Sequence, residues 1–116
     1  MDNLYIGTSN IHGQGVFTKD KIEVNCFIFE VADLEKHKSG KAWISRRGRL
    51  VNHQKEGNCK VVREGNIFNL YSNKIILPNE ELTSDYTVLP LPFNSKVNGY
   101  KWVVNKYEQL KPKKWM

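Results

Sequence analysis

Short apolar runs recur along the chain between glycines and polar residues, and most of them have the composition of β-strands. The clearest is CFIFEV (26–31), which is dense in β-branched and aromatic residues. The runs at 59–62 and 66–71 flank Glu64-Gly65, which predicts a hairpin with its bend at that dipeptide. The predicted strands, in chain order, are 4–6, 11–17 (a tight turn entering its strand), 26–31, 59–62, 66–71, 74–82 (stopped by Pro78 and a polar turn) and 100–104.

Helical signals are few. The charged stretch 33–48 contains Gly40 and Gly48 as breakers, and it is predicted to hold at most one or two short helical turns. The LPLPF string (89–93) cannot be helical with two prolines, and 106–110 is predicted to form a single helical turn. No repeat or linker divides the chain, so we predict one mainly β domain over residues 1–116.

Length and composition narrow the class of protein. The chain has 116 residues, of which 40% are hydrophobic, so a fully disordered chain is excluded and one modest core is expected. No apolar run approaches the ~20 residues that cross a bilayer, and the N-terminus lacks the basic and apolar regions of a secretion signal. We therefore expect no membrane partner.

Cys26 and Cys59 form no CxxC pair, which argues against a disulfide scaffold or a Cys-rich zinc site and favours a reducing, intracellular compartment.

The charge is uneven along the chain. Residues 33–63 carry nine basic and three acidic side chains (net +6), and residues 100–116 carry five and one (net +4). The segments 1–32 and 64–99 are each net −2, and the whole chain is +6 with histidine neutral. An anionic partner such as nucleic acid is one interpretation, with 33–63 and the basic tail 111–115 as its contacts, and a solvated basic face is the other. No RNA-binding or zinc-finger motif decides between them.

Three strings carry residues suited to binding or catalysis. Gly13-Gln14-Gly15 predicts either a turn with positive φ or a backbone that approaches a ligand closely. RLVNHQKEGNC (49–59) holds Asn52, His53 and Asn58, which are suited to orienting a polar ligand but equally to closing a loop or serving as structural side chains. EELTSDY (80–86) ends in Tyr86, which is either a ring at the core edge or a fixed phenol that orients an amine.

Taken together and in order, four blocks of the chain resemble a SET domain, the family of protein-lysine methyltransferases. They are SNIHGQGVF (9–17), 22–30, RLVNHQKEGNC (49–59) and IILPNEELTSDY (75–86), and they cover about half the chain. The family pattern runs G-x-G-[VF]-[FV], then R-F-I-N-H-S-C-x-P-N-C, then I-x-x-G-E-E-L-T-x-D-Y. The resemblance implies a β-clip fold of several short sheets, with little helix and a pseudoknot near the C-terminus. In overall size the chain is similar to the small SET proteins of viruses and phages, which would place it in the cytoplasm or nucleus of a host cell.

The resemblance also implies roles for particular residues. S-adenosylmethionine would be the methyl donor and S-adenosylhomocysteine the product, with no metal required. The cofactor would lie against the 12–15 turn and the Asn52-His53 pair, and Tyr86 would be the catalytic tyrosine at the inner end of a narrow channel. The implied set, in full, is His12, Gly13, Gln14, Gly15, Asn52 and His53 for the cofactor, Tyr86 for catalysis, and Phe93, Tyr100 and Trp102 for the substrate channel.

Departures from the family pattern leave other functions open. Gln54, Lys55 and Gly57 stand where the family has Ser, Cys and Pro, and Asn79 stands where it has Gly. No cysteine set follows Cys59, so residues 87–116 are expected to form a C-terminal lid without zinc. The leading hypothesis is in-line methyl transfer to a neutral lysine of a protein substrate. The alternatives are a catalytically inactive SET-like binding module and a small basic β protein that binds nucleic acid. A domain this small is also a candidate for a homodimer that completes its groove.

Overall fold

The computed structural model describes residues 3–88 of the chain, and short strands dominate this part. Its strands are β1 (Leu4–Thr8), β2 (Gln14–Thr18), β3 (Phe27–Asp33), β4 (Asn52–His53), β5 (Cys59–Glu64), β6 (Ile67–Ser72) and β7 (Thr83–Ser84). The helices are α1 (Leu34–Lys38) and α2 (Arg46–Leu50), and a 3₁₀ turn spans Tyr86–Val88. The mainly β fold with little helix is confirmed.

The strands form two sheets. β1 and β2 make an antiparallel pair, and the other five strands make a sheet in the order β3-β6-β5-β7-β4. The predicted hairpin is confirmed: β5 and β6 pair antiparallel in unbroken register from Cys59↔Ser72 to Glu64↔Ile67. Gly65 lies at its bend with φ +69°, a conformation that glycine adopts without the steric cost of a Cβ.

The strand predicted in 74–82 is wrong as a regular element, whereas the polar turn predicted at Pro78 is confirmed, since residues 78–79 form a turn. Ile76 makes one isolated antiparallel bridge with Ile22, and Glu81 makes another with Phe17. Asn79, between them, has φ +68°, which no extended strand contains. Asparagine tolerates this left-handed conformation, so Asn79 replaces the family's glycine without loss of the bend.

The two short helices lie where the sequence allowed one or two helical turns. Asp33 caps α1, because its side chain accepts the N–H of Glu35, and Ser45 caps α2 by accepting the N–H of Gly48. Gly48 was expected to break the helix, but it lies within α2 and is buried. A Cβ at Gly48 would come within 2.9 Å of the Val31 carbonyl oxygen, so glycine lets α2 pack directly against β3.

The C-terminal strand β7 lies between β4 and β5 and runs parallel to both. Because β4 and β5 precede β7 in the chain, the loop 54–58 that joins them crosses over β7. Gly57 is the point of closest crossing, since a Cβ there would come within 2.7 Å of the Thr83 carbonyl oxygen. This threading is the predicted pseudoknot, and it brings the segment around Asn52 next to the segment that ends in Tyr86.

The core packs mainly between the five-stranded sheet and the segments that cover it. Phe68 and Leu70 of β6 are fully buried, as are Val16, Ile76 and Leu82. The Phe68 ring contacts Trp43 edge-on, with 6.4 Å between ring centroids, and the guanidinium of Arg63 lies over its other side. Phe68 therefore anchors the 33–48 insert to the sheet.

Replacing Phe68 by alanine should destabilise the protein by about 3–5 kcal/mol, because it removes a fully buried ring and leaves a cavity. Phe27→Ala is the matched control, since the Phe27 ring is 57% exposed at the start of β3. Urea unfolding of both variants measures the difference in free energy of unfolding. Equal losses would contradict the assignment of Phe68 to the core.

Several predictions fall beyond the described residues. The strand 100–104, the helical turn 106–110, the channel residues Phe93, Tyr100 and Trp102, and the basic tail 111–115 all lie outside 3–88. Within 3–88, no helix is long and apolar enough to cross a membrane. The same stretch contains no group of three His, Cys, Asp or Glu side chains placed to hold a metal ion.

Candidate functional site

A tight turn between β1 and β2 forms one wall of the site. The Ser9 hydroxyl accepts the N–H groups of Ile11 (2.8 Å) and His12 (3.2 Å), and the Ser9 N–H donates to the Gly13 carbonyl (2.8 Å). Gly13 has φ +50°, and among residues 3–88 no atom lies within 4 Å of the position its Cβ would take. The turn is thus fixed by its own hydrogen bonds while the space beside Gly13 stays open.

Gly15, the second glycine of the motif, allows a close approach of polar side chains. A Cβ at Gly15 would lie 2.2 Å from Glu81 Oε2 and 3.3 Å from Asn52 Nδ2. The Glu81 carboxylate cannot simply swing away, because it is held by hydrogen bonds at both oxygens. Glycine at position 15 is therefore needed for contact between the turn and the C-terminal segment, and Gly13 is needed for its φ.

Asn52 is the centre of this contact and is fully buried. Its Nδ2 lies within hydrogen-bond distance of the His12 carbonyl (3.1 Å), the Gln14 carbonyl (3.1 Å) and Glu81 Oε2 (2.7 Å). These bonds tie the turn to β4, so the Asn52 side chain shapes the wall of the site. The direct bond from Asn52 to a cofactor stays a prediction.

Glu81 is a site residue whose role the sequence did not indicate. Its Oε1 accepts the Ser9 hydroxyl (2.8 Å) and its Oε2 accepts Asn52 Nδ2 (2.7 Å), which closes a ring of hydrogen bonds around the turn. Ser9 lies 72 positions before it in the chain. The sequence places Glu81 in a recognisable acidic string, but only the fold shows that the carboxylate points inward at the turn.

His53, which is next to Asn52 in the chain, and Tyr86 contact each other. The Tyr86 N–H donates to His53 Nδ1 (2.9 Å), and the two rings lie 5.1 Å apart between centroids. Because Nδ1 accepts a hydrogen bond, the neutral imidazole carries its proton on Nε2. Tyr86 is 3% exposed, and its hydroxyl donates to the Val51 carbonyl, next to Asn52. The phenol is thus held in one orientation beside β4.

Asn58 and Gln54 secure the loop that crosses β7. Asn58 Nδ2 donates to the Glu81 carbonyl (2.8 Å), and Asn58 Oδ1 accepts the Thr83 N–H (2.9 Å). The side-chain amide thus bonds to the 81–83 backbone in the way that the backbone of a neighbouring strand does. The Gln54 N–H donates to the Ser84 carbonyl (3.0 Å). Asn58 is therefore a structural side chain that bonds to a distant segment, and the departures at 54–57 fit the crossing geometry.

Comparison with known proteins agrees with this geometry. The family model of the SET domain matches residues 33–87, a span that holds Asn52, His53, Asn58 and Tyr86. The described part of the chain has the fold of a SET domain. A solved structure described as a candidate histone methyltransferase of Plasmodium falciparum shares the fold, with a TM-score of 0.58 and 23% sequence identity. The match covers 74% of this chain and 94% of that one. No curated protein matches the chain in sequence.

The family match begins after the 9–15 turn, so the place of that turn in this SET domain rests on the structure. The hydrogen bonds of Asn52 and Glu81 join the turn to the matched span. Of the residues that the sequence singled out, His12 to Gly15, Asn52, His53 and Tyr86 lie together in one cluster. The proposed channel residues lie beyond residue 88, so the outer part of the channel stays a prediction.

Cys59 lies at the base of the SET domain's crossing loop and is 2% exposed. Burial raises the pKa of its thiol to about 12, partly offset by a hydrogen bond with the Thr83 backbone. Below that pH the thiol stays protonated in the folded protein and is a poor nucleophile.

Cys59 should therefore resist alkylation by iodoacetamide at pH 8, whereas the half-buried Cys26 should react. Reactivity of Cys59 should appear as the pH rises toward 12 or when the protein unfolds in urea. Mass spectrometry of tryptic peptides after timed alkylation measures both sites in one sample. Equal rates at the two cysteines in the folded protein would show that the crossing loop opens readily.

Proposed function

We propose that this SET domain is an S-adenosylmethionine-dependent protein-lysine N-methyltransferase. The observation that carries the proposal is the convergence of three distant motifs on one cluster. The 9–15 turn, the Asn52-His53 strand and Tyr86 meet through hydrogen bonds of 3.1 Å or less. They meet there because β7 is inserted between β4 and β5. The family match adds support for a methyltransferase type of activity.

The residues of the turn suit the amino-acid end of S-adenosylmethionine. Gly13 and Gln14 are exposed, and the open space beside Gly13 is what a ligand lying against the backbone requires. The carboxylate of Glu81 and the amide of Asn52 hold the turn in that shape before any ligand binds. A preformed turn lowers the ordering cost of binding. When bound, the cofactor would supply an electrophilic methyl group on a positively charged sulfur.

Tyr86 is suited to orient the attacking amine. Its hydroxyl hydrogen is committed to the Val51 carbonyl, so the phenol oxygen presents its lone pairs in a fixed direction. A fixed acceptor near a developing positive charge stabilises the transition state. Holding the lysine amine and the methyl donor in line also lowers the activation barrier of the transfer. In well-oriented systems this positioning contributes about 7–11 kcal/mol.

The substrate lysine must lose its proton before it attacks. With an ordinary pKa near 10.4, deprotonation at neutral pH costs roughly 4 kcal/mol. A dry channel beside a cationic sulfonium lowers the pKa of that amine, because burial and like charge both disfavour the ammonium form. The proton leaves to solvent before transfer, and no general base of the chain is required.

Mass spectrometry of a cell lysate incubated with the protein and trideuteromethyl-labelled S-adenosylmethionine tests the proposal. Labelled methyl groups on lysine side chains are the expected result, and a reaction without the protein is the control. Calorimetric titration with the same cofactor provides the second measurement. Failure to bind the cofactor would favour the inactive binding module, and label on residues other than lysine would overturn the substrate class.

A further inference from the structure

A cavity of about 340 Å³ lies in the insert between β3 and β4, away from the candidate methyl-transfer site. Its wall contains three side chains that carry or can carry positive charge: His37, Lys41 and Arg49. No acidic residue lines it, and it shares no residue with the site built around Asn52 and Tyr86. The remaining lining residues are Gly40, Ala42, Trp43 and Ile44.

Basic side chains outnumber acidic ones around this cavity. Between residues 34 and 50 there are six lysines and arginines and one glutamate, Glu35. The Glu35 carboxylate accepts a hydrogen bond from Asn66 Nδ2 (2.6 Å), and Glu35 does not line the cavity. Within 3–88, no ion pair involves the basic side chains that line the cavity or flank it, namely Lys36, Lys38, Lys41, Arg46 and Arg49.

The backbone that carries these side chains is fixed to the sheet. The Asp33 N–H donates to the Trp43 carbonyl (2.9 Å), and the Ser45 N–H donates to the Val31 carbonyl (2.7 Å). The Ser45 hydroxyl also donates to the Glu30 carbonyl (2.8 Å), while it caps α2. The positive groups are therefore displayed by a rigid platform, which reduces the ordering cost of binding a partner.

We propose that this cavity and its basic flank bind the phosphodiester backbone of nucleic acid. A guanidinium and an ammonium group at one cavity suit a phosphate, and Lys36, Lys38 and Arg46 continue the positive charge along the insert. A partner that is complementary to this row of positive side chains must carry closely spaced negative charges, as a phosphodiester backbone does.

An acidic protein fits the cavity less well than nucleic acid does. Protein interfaces depend on exposed aromatic or aliphatic anchors at their centre. Here the apolar side chains, Trp43 and Ile44, are only 8% and 6% exposed, so the cavity offers no exposed ring or aliphatic side chain as an anchor. Given the proposed methyltransferase activity, binding at this cavity would hold the enzyme on nucleic acid. The positive charge would also repel a basic peptide from this face. The binding of nucleic acid itself does not depend on the proposed activity.

Fluorescence anisotropy with a labelled DNA oligonucleotide tests the proposal on the full chain. The test variant is Lys41→Gln/Arg49→Gln, and the matched control is Lys19→Gln/Lys74→Gln, which removes two exposed positive charges elsewhere. At about 0.1 M salt the test variant should bind at least tenfold more weakly than wild type, and the control less than about threefold. The slope of log K against log salt should fall by about two in the test variant.

Three results would overturn the proposal: equal weakening in the two variants, no measurable DNA binding by the wild type, or equally effective competition by polyglutamate. Equal weakening would mean a diffuse charge effect, and competition by polyglutamate would mean an acidic protein partner. Circular-dichroism melting curves confirm that both variants stay folded, since all four positions lie on the surface or at the cavity wall. Because the readout is DNA affinity, failure here leaves the methyltransferase proposal unaffected.

Discussion

Tyr86→Phe should lower the rate of methyl transfer about 100-fold while the affinity for S-adenosylmethionine changes less than about twofold. The substitution removes only the phenol oxygen, which is held by the Val51 carbonyl at the proposed point of transfer. The ring itself remains packed beside His53, so the cofactor side of the cluster keeps its shape. Single-turnover transfer of labelled methyl groups measures the chemical step, and calorimetry measures cofactor binding separately.

Tyr71→Phe provides the matched control for this variant. The Tyr71 hydroxyl donates to the Glu64 carboxylate at the surface of the hairpin, and that hydrogen bond raises the pKa of the phenol. Loss of the Tyr71 hydroxyl should leave the rate of methyl transfer within about twofold of wild type, because the surface of the hairpin lies away from the cluster around Asn52 and Tyr86. An unchanged rate in Tyr86→Phe would remove Tyr86 from the catalytic role.

Asn52→Ala should weaken cofactor affinity at least about tenfold and lower the free energy of unfolding by about 3 kcal/mol. The amide is fully buried and bridges two carbonyls of the turn and the Glu81 carboxylate. Its removal leaves the buried His12 carbonyl and one oxygen of Glu81 without their amide donor, so the turn loses its fixed shape. Calorimetry with S-adenosylhomocysteine measures the affinity, and urea unfolding measures the stability.

Asn69→Ala is the control for the second prediction. Asn69 also donates an amide hydrogen to a carboxylate, that of Glu64 (2.6 Å), but the pair is exposed. Surface bonds of this kind contribute little, so the loss should stay below about 1 kcal/mol. Wild-type affinity in Asn52→Ala, with the protein folded, would show that the turn keeps its shape without the buried amide.

Local features of the fold follow from the sequence, because they depend on neighbouring residues. The β5–β6 hairpin needs only two apolar runs and a glycine at the bend, and the structure confirms both. The failed strand at 74–82 shows the limit of this reasoning. Its apolar residues match a strand pattern, but the backbone before the predicted turn makes only one isolated bridge, between Ile76 and Ile22.

The sequence predicted part of the cluster around Asn52, but it did not predict the role of Glu81 or the hydrogen bonds that connect the cluster. The resemblance to a known family placed Asn52, His53 and Tyr86 together, yet their residue types alone allowed structural roles. The inward position of Glu81 depends on contacts 29 and 72 positions away in the chain. Such contacts are fixed by the crossing of the loop over β7, and composition or periodicity contains no signal for a crossing.

The insertion of β7 between two earlier strands has a consequence for synthesis on the ribosome. The gap between β4 and β5 can be filled only after residues 83–84 have emerged, so a shorter nascent chain has an incomplete sheet. Pairing between such distant segments is also slow compared with hairpin closure. We therefore expect a chain stalled before residue 86 to lack the proposed methyl-donor site, because neither the closed sheet nor Tyr86 is then in place.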